Sequence, residues 1–443
     1  MLQHQSVNIR QISQNRAEQV GYYRFLGNEN VTISELVRSV ADQCQQQVEG
    51  LHHVLSISDT SEINLQAHRG RLKPDGLGVV GNNRDVGFFI HPTLVLNAET
   101  GFPLGLSAIH LWGRDFDHAD KHQRGYKDLP IEEKESYKWL LSAEQSNRCL
   151  RAGGVQLVTH IGDRESDLYE EWATVPDAQT YLLVRARQNR RLLGQSTSLY
   201  AYLSAQPCAG TYTVQVTEDP RKGRIAREAF LAVRIAKVHL QRPGNLSAQD
   251  YPPSVCLYGV EAKEVNPLAG QEPIHWRLLT THEVVCIEQA LKVIQWYCWR
   301  WRIEQLFATL KQAGLNLEAT QLESVEAIER LTVLALSIAV RTLQLLEGRD
   351  NPDLPASIAL TDEQQQCLSQ LAPSLQGRTQ KQQNPYPPTS LAWATWLIAR
   401  LGGWSGYRSQ RPPGMPTLIH GLRQFEAIFV GWKLAQTPLM CTP

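Results

Sequence analysis

The stretch Tyr297-Cys-Trp-Arg300-Trp-Arg-Ile-Glu304-Gln-Leu-Phe-Ala-Thr-Leu-Lys311 decides how this chain is read. It sets a phenol, a guanidinium, a carboxylate and an amine at offsets 0, 3, 7 and 14. At about 100° per residue these fall at about 0°, −60°, −20° and −40° around a helix, one narrow stripe. Trp299, Ile303, Leu306 and Leu310 fall about 180–240° away and form an apolar stripe. One face is built to bury, the other to present a carboxylate among phosphate-binding groups. That layout suits metal-assisted chemistry on a phosphodiester. Periodicity alone is equally served by a solvated helix face; the residue set is what singles the segment out.

The 443 residues suffice for two or three domains, and 42% hydrophobic with 20% charged content suits a globular protein. No apolar run reaches the roughly 18–20 residues that span a bilayer, and the polar start MLQHQSVNIRQISQNR has no signal-peptide core. The expectation is a cytoplasmic protein with no membrane partner. The 8 cysteines are scattered and show neither zinc spacing nor a disulfide framework. Zero net charge argues mildly against a nucleic-acid binder. The basic residues nevertheless cluster: Arg185, Arg187, Arg190 and Arg191; Arg221, Lys222, Arg224 and Arg227; Arg300 and Arg302. Solvated surface arginines account for any one cluster equally well.

Residues 1–50 read as helical, with Thr32 or Ser34 capping a helix from Glu35 to about Gly50. Residues 53–60 alternate as a strand that ends at Asp59, and 62–86 read as loop. Phe88 to Asn97 and Leu104 to Trp112 pattern as two strands joined at Ala98-Glu-Thr-Gly101. A helix follows from Ile131 to about Leu150, then a second strand ending in an acid, Asp163, a short helix (Ser166 to Trp172) and a strand (Thr180 to Ala186). This order predicts an α/β fold, a ribonuclease H-like mixed sheet flanked by helices. Residues 207–285 alternate as an all-β insertion. Ala327 to Leu346 is helical, 347–390 is linker-like, and the C-terminal region is helical with an aromatic face whose simplest role is core. Gly76-Leu-Gly78-Val-Val-Gly81 matches a dinucleotide fingerprint but lacks its strand and helix, and reads as a loop near Asp59.

Tyr, two residues, Arg, three residues, Glu, six residues, Lys is the signature around the third catalytic acid of one transposase group. With Ser58-Asp59-Thr60-Ser61, Gly162-Asp163-Arg-Glu-Ser-Asp167, Leu183-Val-Arg185 and Trp276, the chain resembles the IS-four family of DDE transposases, the group that includes the enzyme of Tn-five. The resemblance runs from Gly21-Tyr-Tyr-Arg24-Phe25 to Ala399-Arg400-Leu-Gly-Gly403. It implies Asp59, Asp163 and Glu304 as catalytic acids and metal ligands. Two Mg²⁺ ions, for which Mn²⁺ can substitute, would reconcile three converging carboxylates. It implies Tyr297, Arg300, Lys311 and Arg185 as DNA-phosphate contacts and Trp276 as a stacking platform for a flipped base. The residues alone leave Trp276 as a buried core aromatic.

The implied organisation is a helical remnant of an N-terminal DNA-binding region (1–50) and the first part of the catalytic core (51–206). A β-rich insertion (207–285) follows, then the second part of the core with the Glu304 helix (286–346), and a linker with a helical dimerisation region (347–443). The implied function is cut-and-paste DNA transposition of an insertion sequence by metal-dependent cleavage, hairpin formation and strand transfer. The partners would be double-stranded DNA, at transposon ends and target, and a second copy of the chain on DNA. The setting would be the bacterial cytoplasm, at the nucleoid. By this resemblance, most of the small end-recognition domain of such enzymes would be missing from the chain. That departure opens a second reading: a truncated, non-catalytic inhibitor acting by DNA binding or heterodimerisation. A metal-dependent nuclease without strand transfer is a third.

Overall fold

A computed structural model describes residues 1, 4–81, 83–117, 129–219, 223–407 and 409–436. The helices are α1 (Ile9–Ile12), α2 (Arg16–Leu26), α3 (Ile33–Gln47), α4 (Tyr137–Ala152), α5 (Tyr169–Thr174) and α6 (Leu199–Ser204), then α7 (Ile287–Trp299), α8 (Trp301–Ala308), α9 (Val325–Glu347), α10 (Asp362–Leu375), α11 (Leu391–Leu401) and α12 (Met415–Gln436). The strands are β1 (His53–Ser58), β2 (Ser61–Asn64), β3 (Gly78–Val80), β4 (Asp85–Asn97), β5 (Pro103–Trp112), β6 (Leu157–Gly162), β7 (Thr180–Arg185), β8 (Cys208–Val216), β9 (Arg227–Gln241), β10 (Ser254–Glu264) and β11 (His275–Thr280). All eleven form one mixed sheet, ordered β2-β4-β1-β6-β7-β11-β10-β9-β8, with β3 and β5 also paired to β4. Helices flank this sheet and the C-terminal region is helical, the ribonuclease H-like arrangement that the order of elements predicts.

The centre of the sheet is parallel. β1 pairs with β6, and β6 with β7, in parallel register, while β4 and β11 flank them antiparallel. Strand parity then sorts side chains to two faces. Ser56 and His160 reach α4 through Ser146 and Asn147. The odd-numbered His53 and Thr159 hydrogen-bond to each other and His53 meets Trp296 of α7 edge-on. Asp59 and Asp163 carry the odd parity and so belong to the α7–α8 face.

A proline explains why β1 stops where it does. Ser58 pairs with Thr93, and Ser61 pairs with Ile90, in a single register along β4. Asp59 therefore lies opposite Pro92, which has no N–H to give to a ladder. Thr60 lies opposite His91 and its hydroxyl meets the ring Nδ1 at 2.9 Å. The break in pairing leaves Asp59 outside both strands on a backbone held firmly at either side. The β4–β5 hairpin turn depends on Gly101, whose φ is +69° and whose absent Cβ would fall 2.6 Å from the Trp299 ring.

Several expectations are corrected. The 62–86 stretch is not simply loop, because β2 and β3 pair with β4, and β3 lies inside the glycine-rich Gly76–Gly81 stretch. The β-rich segment is continuous with the sheet through β11 on β7. Residues 347–390 hold the fourteen-residue α10, whose Thr361 and Gln364 form a reciprocal N-terminal cap that polar composition conceals. The expected core role of the C-terminal aromatics holds for Trp393, Trp396 and Phe425, which are buried. Among the described residues no helix is long and apolar enough to cross a membrane.

Candidate active site

Asp59 and Asp163 leave β1 and β6 two residues beyond the paired Ile57 and Ile161, at equal height on neighbouring parallel strands. Each acid is fixed by its own backbone turn. Asp59 Oδ1 accepts from Thr60 N at 2.8 Å, and Asp163 Oδ1 accepts from Glu165 N at 2.8 Å, starting a short 3₁₀ turn.

Glu304 arrives on α8. The helical segment 297–311 is not one uninterrupted helix: α7 ends at Trp299, Arg300 caps both helices, and residues Thr309–Ala313 close in a π turn. The apolar stripe behaves as expected, with Ile303, Leu306 and Leu310 fully buried. On the polar stripe, Arg300 Nη1 donates to Asp59 Oδ2 at 2.9 Å and Nη2 donates to Glu304 Oε1 at 2.7 Å. One guanidinium thus joins the first acid to the third. The π turn alters the expected angle of Lys311, whose Nζ lies 3.6 Å from Glu318. The same Glu318 oxygen accepts from the backbone of Asn64 on β2.

The electrostatics are those of an undercompensated acidic centre. Burial, then the charge of Asp163, pushes Asp59 up to about 6, although Arg300 and the Thr60 N–H oppose the rise. Glu304 adds to the rise. Against burial, Tyr297, Asp59 and Glu304 together hold the Arg300 pKa above its ordinary value. Among the described residues no three His, Cys, Asp or Glu side chains are gathered closely enough to hold one ion; the guanidinium of Arg300 stands between two of the three acids. The donor chemistry still fits a hard divalent cation: carboxylate oxygens on a rigid sheet edge and a facing helix, with one acid paying a burial cost that positive charge would relieve.

Around the acids the other anticipated residues assemble in part. Tyr297 is buried on α7, close enough to Arg185 for the two charges to interact, and meets the half-buried Trp276 ring edge-on at 6.4 Å. Trp276 is on β11, a strand the alternation did not reveal, and is neither fully core nor fully exposed. Arg185, at the end of β7, is pushed below its ordinary pKa by burial and by neighbouring Arg164.

Sequence reasoning missed a basic bay here. Arg164, Arg185, Arg187, Arg277, His275 and Tyr200 line a cavity of about 330 Å³ beside Asp163. Arg277 stacks on the Tyr200 ring at 4.1 Å and its Nε donates to Glu261 at 3.0 Å. Reading 275–280 as a strand would have pointed to Arg277, because Leu278 pairs with Arg185 and brings its neighbour to the bay. Other basic residues serve the fold. Arg190 is buried against Asp167, which also accepts from the Arg187 and Gln188 N–H groups. Arg227 pairs with Glu264, and Arg302 with Glu347. Arg221 and Lys222 lie outside the described residues.

Comparison with known families gives an independent reading of the same region. The family model described as "Transposase DDE domain" matches residues 144–340. The matched span takes in Asp163, Arg185, Trp276, Tyr297, Arg300, Glu304 and Lys311 and begins after Asp59. Residues 144–340, a little under half of the chain, are thus similar to a DDE transposase domain.

Proposed function

We propose that the chain is a DDE-type DNA transposase of the IS-four kind, cutting an insertion sequence from flanking DNA and joining it to a target. The observation that carries this reading is the placement of Asp59 and Asp163 at one height on adjacent parallel strands, with Glu304 tied to Asp59 through Arg300. Asp59, Asp163 and Glu304 would hold Mg²⁺, which would supply positive charge at the scissile phosphate and lower the pKa of the attacking hydroxyl. The carboxylates themselves set the line of attack, because two are anchored on the sheet and the third comes from the facing helix. Tyr297 and Arg185 hold phosphate oxygens beside the cut, and the basic bay receives the neighbouring backbone. Trp276, half-exposed beside Tyr297, offers its free surface to an unstacked base. Nicking, attack of the freed 3′-OH on the opposite strand, hairpin opening and strand transfer are all oxygen displacements at phosphorus, so one centre serves them all. A dimer on two DNA ends, joined through the C-terminal helices, completes the proposal.

The test is cleavage of DNA carrying the element's own ends, with Mg²⁺, by this chain and by Glu304→Ala. Nicked, hairpin and strand-transfer products from the parent alone support the reading. Equal cleavage by Glu304→Ala contradicts it.

A further inference from the structure

The side chain that joins the acids is itself unsatisfied. Arg300 gives one Nη to Asp59 and the other to Glu304, its side chain is only 8% exposed, and its buried Nε has no hydrogen-bond partner. It also lies near two rings, with the guanidinium carbon 5.8 Å from the Tyr297 centroid and 5.5 Å from that of Trp301. Trp301 is 57% exposed.

We propose that Arg300 is a built-in counter-ion that keeps the place of a divalent cation between Asp59 and Glu304 and gives it up to the cation when a DNA phosphate takes the guanidinium. The inference rests on the metal-dependent reading above and deepens it. A guanidinium and a divalent ion cannot both occupy the oxygens that face each other across Arg300. Entry of the ion therefore breaks two charge-assisted hydrogen bonds and strands a buried cation, which is strongly unfavourable unless a new anion receives it. A phosphate oxygen of bound DNA is such an anion, and the planar fork of Arg300 suits it. The unpaired Nε supplies a further donor for that contact. Metal binding and DNA binding are then linked, each favouring the other by the same factor. The consequence is a centre that stays closed to ions until substrate arrives, which limits stray cleavage.

The test measures Mn²⁺ binding to the full chain, by the electron paramagnetic resonance signal of free Mn²⁺, with and without a short DNA duplex. The parent, Arg300→Gln and Arg300→Lys are compared, with circular dichroism to verify folding. Without DNA, Arg300→Gln should bind Mn²⁺ about tenfold more tightly than the parent, a coupling within the ordinary range. DNA should tighten binding to the parent and leave Arg300→Gln unchanged. Equal or weaker binding by Arg300→Gln without DNA overturns the placeholder role while leaving the metal reading intact. Absence of Mn²⁺ binding to every form, with DNA present, overturns both. A second readout needs no change at Arg300: Mg²⁺ with DNA should alter Trp301 emission as the guanidinium leaves the ring, an alteration lost in Trp301→Phe. A Trp301 signal unmoved at saturating Mg²⁺ and DNA overturns the proposal.

Discussion

Asp59 and Asp163 occupy matching positions on two neighbouring parallel strands, two residues past the paired Ile57 and Ile161 and with the same facing parity. Their proximity registers as charge, since Asp163 is the largest contributor after burial to the raised pKa of Asp59. If both serve one centre, neither can replace the other. Asp59→Asn and Asp163→Asn should each lower single-turnover DNA cleavage about 10³-fold, the equivalent of about 4 kcal/mol. The double variant should be little worse than either single one, because residues of one unit are not additive. Additive losses would indicate separate roles.

Glu171 offers a pH-dependent test of the scaffold beneath the acids. It is buried, accepts from Ser166 Oγ at 2.7 Å, and is pushed up to about 8 by burial, against the Ser166 hydrogen bond and with the help of the Asp167 charge. The folded state therefore retains a proton that the unfolded chain releases near its ordinary pKa of about 4.5. Stability from this group is fully present below that value and is lost as pH rises through about 8. Glu171→Gln, which mimics the protonated acid, should flatten the decline of thermal stability between pH 6 and 9 on the order of a few kcal/mol. An unchanged slope would show that Glu171 is ionised in the fold.

Asp167 and Arg190 form an interior ion pair rather than part of a DNA surface. Arg190 Nη2 lies 2.8 Å from Asp167 Oδ1, and their side chains are 7% and 0% exposed. Removing one partner leaves a buried charge, so Arg190→Ala should lose about 3–5 kcal/mol in urea unfolding. A change within about 0.5 kcal/mol, the range of ordinary surface substitutions, would contradict this assignment.

DNA contacts should separate by type. Arg185→Ala should weaken duplex binding regardless of sequence and reduce the salt dependence by about one phosphate contact. Trp276→Ala should cost about 1–3 kcal/mol on an end with an unpaired or flipped base and little on an intact duplex. Equal losses on both substrates would make Trp276 a packing residue.

The sequence made the central sheet legible because β1, β6 and β7 are bounded apolar strands and two of them lead straight into acids. The Tyr297–Lys311 pattern put Glu304 on the helix stripe opposite Ile303, Leu306 and Leu310, and those three are buried. The break at Arg300 and the π turn were not legible, because no proline or glycine lies between Tyr297 and Ala313 to mark them. β11 was hidden by its partial burial, with an apolar run in place of alternation, and with it went Arg277 and the basic bay. The consequence of Pro92 was also hidden, since only the register shows that it lies opposite Asp59. Arg190 looked like surface charge because its partner, Asp167, is twenty-three residues away.

The most direct test of the account is the position of Mn²⁺ in a crystal of the chain bound to a DNA end, read from anomalous diffraction. The account predicts manganese within coordination reach, about 2.0–2.6 Å, of Asp59, Asp163 and Glu304 carboxylate oxygens, with Arg300 turned to a phosphate. Manganese bound elsewhere, or Glu304 remaining on Arg300 with DNA and Mn²⁺ both present, would contradict it.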